Sequence, residues 1–177
     1  MRLCTALAVS LGLAASGVQA ALFADKYCRS SALCVSAVYD DAAALVNYTL
    51  TYKPSAGGGP FGWVGIGSGT KNMAGANMLV TWANAEGSLT LSQRSTPSGH
   101  QDPTTGAVKA KAFMPDMAAS TASSSGVVVK WAFPVNAGAL PSSSSPHIWA
   151  VCSKTPSSAD ASSSLTKHQV SIVVCRF

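Results

Sequence analysis

The chain is 177 residues long, 47% hydrophobic and only 11% charged, with a formal net charge of +5. Its 12 Lys and Arg are scattered, with no basic run and no interleaved aromatics, a pattern that argues against nucleic acid as a partner. Reading from the N-terminus, Arg2 supplies a short positive start, Leu3 to Ala15 is an apolar run, and Val18-Gln19-Ala20 is a small-residue cleavage site. This predicts a signal peptide over residues 1–20 and a secreted, extracellular product that begins at Ala21. No later stretch approaches the ~18 apolar residues of a membrane span. SIVVCRF is too short for the tail of a lipid-anchor signal.

Removing 20 of the 177 residues leaves 157, enough for one domain over 21–177 with a single core. A second, catalytic domain has no room, so the chain is expected not to be an enzyme, and any enzyme partner must be another chain. A monomer is expected. Cys4 departs with the leader, and of five cysteines four remain: Cys28, Cys34, Cys152 and Cys175. An even number in an exported chain predicts two disulfides. Three connectivities are possible, and the closeness of Cys28 to Cys34 favours Cys28–Cys34 with Cys152–Cys175.

Strand signals then recur along the chain and helical ones do not. The spacing predicts strands at Cys34 to Tyr39, Val46 to Lys53, Gly62 to Ile66, Met78 to Trp82, Ser88 to Arg94, Val108 to Phe113, Val127 to Phe133, Ile148 to Cys152 and Gln169 to Cys175. In the second of these, Val46, Tyr48, Leu50 and Tyr52 alternate with Asn47, Thr49, Thr51 and Lys53, the mark of a half-buried strand. Asn47-Tyr48-Thr49 on its polar face is a sequon for N-glycosylation. Breakers fill the connections: Pro54 to Pro60, Asn84 to Gly87, Pro97 to Thr105, the Ser/Ala tract 118–126, Pro141 to Pro146 and Pro156 to Ser164. The serine-rich tracts read as flexible surface loops. His147, after Pro146, reads as a solvated residue at a strand start. The sum predicts an all-β, antiparallel, immunoglobulin-like sandwich of about nine to eleven strands.

Chemistry concentrates in GWVGIGSGTKNMAGANMLVTWAN, Gly62 to Asn84, where a glycine loop holds Met73 between two strands. A thioether fixed in such a loop is suited to an axial position on haem iron. Competing motifs fail on context. GSGTK lacks the spacing and following helix of a phosphate loop, and no GxSxG is present. Zinc would need closely paired Cys or His, and covalent haem a CxxCH; neither occurs. Blue copper needs a Met close behind a Cys and a His, yet none follows Met117. A haem here would be non-covalent, of b type.

The order of these motifs resembles a DOMON domain, specifically the haem b cytochrome domain of the cellobiose dehydrogenase family. Members carry a GW-hydrophobic-Gly strand, a glycine loop with the ligand Met, an apolar strand ending Val-x-Trp and then Asn, matched by GWVGIGSG, Met73 and MLVTWAN. A strand ending Ser-x-Arg and a loop with Gly-aromatic and Pro follow, matched by SLTLSQR and SGHQDP. A Trp-Ala strand, a polar loop and the ligand His come last, matched by IWAV and TKHQVSI. The resemblance is strongest from Gly62 to Pro103, and it departs at KWAFPVNA, where the family's paired cysteines are missing. It implies Met73 and His168 as axial ligands, Trp63, Trp82 and Met78 as lining of the haem pocket, and His100 near a haem edge. It also implies one-electron transfer from an extracellular flavin dehydrogenase or quinol to a copper polysaccharide monooxygenase or ferric iron. Thioether and imidazole together leave no open site on the iron, which suits a carrier. The alternative of another class is a haem-free DOMON-type module that binds carbohydrate on exposed aromatics.

Overall fold

The computed structural model describes residues 22–55, 59–96, 98, 101–105, 113–134, 146–166, 175 and 176. The predicted leader lies outside them, as do His100, His168 and most of the strands expected at 108–113 and 169–175. Among the described residues the chain forms eleven strands and no helix: β1 (Leu22–Ser30), β2 (Leu33–Asp40), β3 (Leu45–Tyr52), β4 (Trp63–Ser68), β5 (Asn77–Ala83), β6 (Leu89–Arg94), β7 (Met114–Pro115), β8 (Thr121–Ser123), β9 (Gly126–Pro134), β10 (Pro146–Cys152) and β11 (Cys175–Arg176). Among the described residues, no helix is long and apolar enough to cross a membrane.

Every strand pairing is antiparallel. The first sheet runs β1-β2-β3-β9-β7, with β8 also on β9; the second runs β11-β10-β4-β5-β6. The chain changes sheet after β3, β6 and β9, so the two sheets are interwoven into an antiparallel β-sandwich. Its interior follows from the period-two pattern of the strands. Leu33, Val35 and Tyr39 from β2 and Val46, Tyr48, Leu50 and Tyr52 from β3 point inward, while Asn47 and Thr51 are exposed. Val64 and Ile66 of β4, Leu79 of β5, and Trp149 and Val151 of β10 meet them from the second sheet.

The interior also holds a polar contact that local sequence does not announce. His147 is buried rather than solvated, because β10 starts at Pro146 and turns its ring between the sheets. The Tyr48 hydroxyl lies 3.0 Å from His147 Nε2. Tyr48 in turn stacks on Trp131 at 5.0 Å between centroids. Burial raises the Tyr48 pKa to about 12.

The cysteines divide between one expectation met and one corrected. Cys28 and Cys34 sit opposite each other on β1 and β2 and are bonded, with Cα atoms 4.0 Å apart. The bridge Cys152–Cys175 does not fit the sheet register. Cys175 lies opposite His147, five residues along β10 from Cys152, which is about 16 Å of strand. A disulfide tolerates roughly 7 Å between Cα atoms. Three stretches outside the strands expected from sequence are strands: β1, whose apolar residues do not alternate cleanly, β7 just past the strand expected at 108–113, and β8 within the Ser/Ala tract.

Candidate functional site

The second sheet is covered on both faces, which is why β4 and β5 are buried along nearly their whole length. On the face turned away from the interior, the register brings together residues distant in sequence. Trp63 pairs with Cys152, Gly65 with Ala150 and Val80, and Gly67 with Ile148 and Met78. Trp63, Val80, Trp82 and Cys152 pack as one buried cluster, joined by Ala150 and Leu165. Ala76, Met78 and Ile148 form a second cluster, and Met73 packs against it. Together they make one apolar wall with a thioether at its margin.

The loop that carries Met73 is held on its β5 side. Ala76 N–H donates to Met73 O at 3.1 Å, and Gly75 N–H donates to Thr96 O, two residues past β6, at 3.3 Å. Gly75 has φ 76°, a left-handed conformation that glycine adopts without a Cβ clash. Gly67 serves closeness instead: a Cβ there would sit 2.7 Å from Ile148 Cγ1. Met73 is half-buried, whereas Met78 is 6% exposed and belongs to the wall.

Polar donors rim the wall along β6. Thr90, Ser92 and Arg94 share one parity, opposite the inward Leu89 and Leu91, and all three are buried. They hold the segment 156–166, which the sequence suggests is flexible. Thr90 Oγ1 donates to Ala159 O at 2.9 Å, Ser92 Oγ to Ala161 O at 2.6 Å, and Arg94 Nη2 to Ala161 O and Ser163 O at 2.7 and 2.6 Å. Trp82 Nε1 donates to Ser158 O at 3.1 Å. Burial lowers the Arg94 pKa from its usual value. The signal for this rim was present in LTLSQR, whose alternate residues are all hydrogen-bond donors.

The structure thus brings Met73, Met78, Trp63 and Trp82 to one face. His100 and His168 lie outside the described residues. His147 belongs to the opposite face: it points inward to Tyr48, while its neighbour Ile148 points to Met78 and Met73. It therefore does not share a site with Met73. Among the described residues, no group of three or more His, Cys, Asp or Glu is gathered as a metal site would require. All four tryptophans, Trp63, Trp82, Trp131 and Trp149, are buried. None offers the exposed platform on which a sugar ring stacks. No family model matches the chain, and no curated protein or solved structure matches it either.

Proposed function

We propose that the protein is a secreted b-type cytochrome that carries single electrons and binds its haem non-covalently at the outer face of the second sheet. The observation that carries this reading is the wall itself: Met73 stands at the edge of a buried apolar surface built from Trp63, Val80, Trp82, Met78 and Ile148. A porphyrin is a large apolar plane that needs such a surface and a soft donor for its iron, and the residues present fit both needs. Met73 and His168 would hold the iron, the second on the strength of the family resemblance, as is the place of His100 near the haem edge.

Bound haem supplies a reversible one-electron couple. The chain's own residues set its surroundings. Met73, a weak donor, would favour reduced iron and a potential above that given by two histidines. Apolar side chains keep water from the wall, and segment 156–166 is hydrogen-bonded along its β5–β6 margin. A haem held by a thioether and an imidazole would suit one-electron transfer rather than oxygen chemistry, and the proposed partners are an extracellular donor, such as a flavin dehydrogenase or quinol, and an acceptor, such as a copper polysaccharide monooxygenase or ferric iron. The test is the spectrum of Met73→Ala and His168→Ala beside the unaltered protein. Each substitution is expected to abolish the low-spin reduced spectrum. A Met73→Ala protein with unchanged reduced bands and potential would remove the thioether from the iron.

A further inference from the structure

The segment 156–166 is rich in serine, yet it is anchored by its backbone. Four of its carbonyls, those of Ser158, Ala159, Ala161 and Ser163, accept hydrogen bonds from side chains on β5 and β6. Arg94 has a distinct place among these donors. Its Nη2 reaches two of the carbonyls, its Nε donates to Ser92 Oγ at 2.8 Å, and its Nη1 reaches Pro103 O at 3.3 Å. The guanidinium also stands 6.0 Å from the centre of the Trp82 ring, within cation–π range. It is 3% exposed. A rigid fork of donors is the group suited to tie two carbonyls of one coil to a carbonyl of another, and a lysine ammonium has no such shape. Bonds from a charged donor are also stronger than those from Thr90 or Ser92.

We infer that Arg94 is the positioning residue that fixes segment 156–166 along the β6 margin of the outer wall, seating Leu165 against the cluster of Trp63, Val80, Trp82 and Cys152 and closing one edge of the proposed haem surface to water. The part of this inference that concerns haem rests on the cytochrome reading; the part that concerns the segment does not. Arg94 touches no reacting atom and acts through the carbonyls it holds.

Hydrogen exchange read by mass spectrometry on the full chain tests the first part without haem. Arg94→Ala and Arg94→Lys are both expected to speed exchange across 158–165 by about tenfold or more, while β2 and β3 keep their protection. Thr90→Val, which keeps side-chain shape and removes one bond, is expected to give a rise of about fivefold near Ala159 and leaves a readable variant should Arg94→Ala fail to fold. Unchanged exchange at 158–165 in folded Arg94→Lys, or a rise there no larger than that in Thr90→Val, would overturn the anchoring role of Arg94. Haemin titration tests the second part: the Arg94 variants are expected to bind haemin at least tenfold more weakly than the unaltered chain. Faster exchange with equal haemin affinity would confine Arg94 to the segment and overturn its link to the haem surface. If the unaltered chain takes up no haemin, the cytochrome reading fails while the exchange result still decides the anchor.

Discussion

The packing of Ile148 over Gly67 offers a quantitative test of the wall. A Cβ added at Gly67 would lie 2.7 Å from Ile148 Cγ1, 3.1 Å from its Cδ1 and 3.2 Å from the Ala76 Cβ. The first distance is far inside van der Waals contact, and Ile148 is buried, so the side chain has little room to withdraw. Gly67→Ala is therefore an overpacking change, expected to cost about 1–3 kcal/mol. Ile148→Ala removes the two closest atoms and leaves a void, expected to cost about 2–5 kcal/mol. The two changes relieve each other, because the new methyl enters the void. The double variant should be more stable than the sum of the single losses by about 1 kcal/mol or more. Urea unfolding of the four proteins, followed by tryptophan fluorescence, gives the cycle. Additivity within about 0.5 kcal/mol would mean that these residues do not face each other, and with that the β4–β10 register and the wall beside Met73 would be wrong.

Other consequences concern the rest of the sandwich. Tyr48 has its pKa raised from 10.0 to about 12, so its contribution to stability is complete below pH 10 and is lost as pH rises through 12. Over that window the loss is about 2–3 kcal/mol, and Tyr48→Phe should flatten the decline seen in urea melts between pH 10 and 12; an identical slope in the variant would contradict it. Reducing Cys28–Cys34, which closes a short loop with a sequence separation of 6, should lower stability by about 2 kcal/mol without unfolding the protein at room temperature. Urea midpoints with and without reductant measure this. Asn47 is exposed on the outer face of the first sheet. In a eukaryotic secretory host it is expected to carry a glycan that peptide N-glycosidase removes and that Thr49→Ala prevents; the same mass before and after the enzyme would exclude it.

Legibility in the sequence followed the range of each interaction. β3 was readable to within one residue at each end, because burial alternates with the side chains themselves: Val46, Tyr48, Leu50 and Tyr52 in, Asn47 out. The shared parity of Met78, Val80 and Trp82 likewise put them on one face. His147 was misread because its partner Tyr48 lies 99 residues away on the opposite sheet, and the preceding proline imitates a loop. The serine-rich segment is a surface loop, as its composition suggests, but composition describes side chains and could not reveal that its carbonyls accept hydrogen bonds from donors on β5 and β6. β1 has no clean alternation of its own and takes its place by pairing along β2. The bridge proposed for Cys152 and Cys175 failed on register, a property of two strands that neither reveals alone.

Haemin titration of the purified, folded chain is the most direct test of the central proposal. A b-type cytochrome takes up one equivalent and, after dithionite, gives the sharp α and β bands of a low-spin iron with thioether and imidazole ligands. A folded protein that stays colourless with added haemin would contradict it.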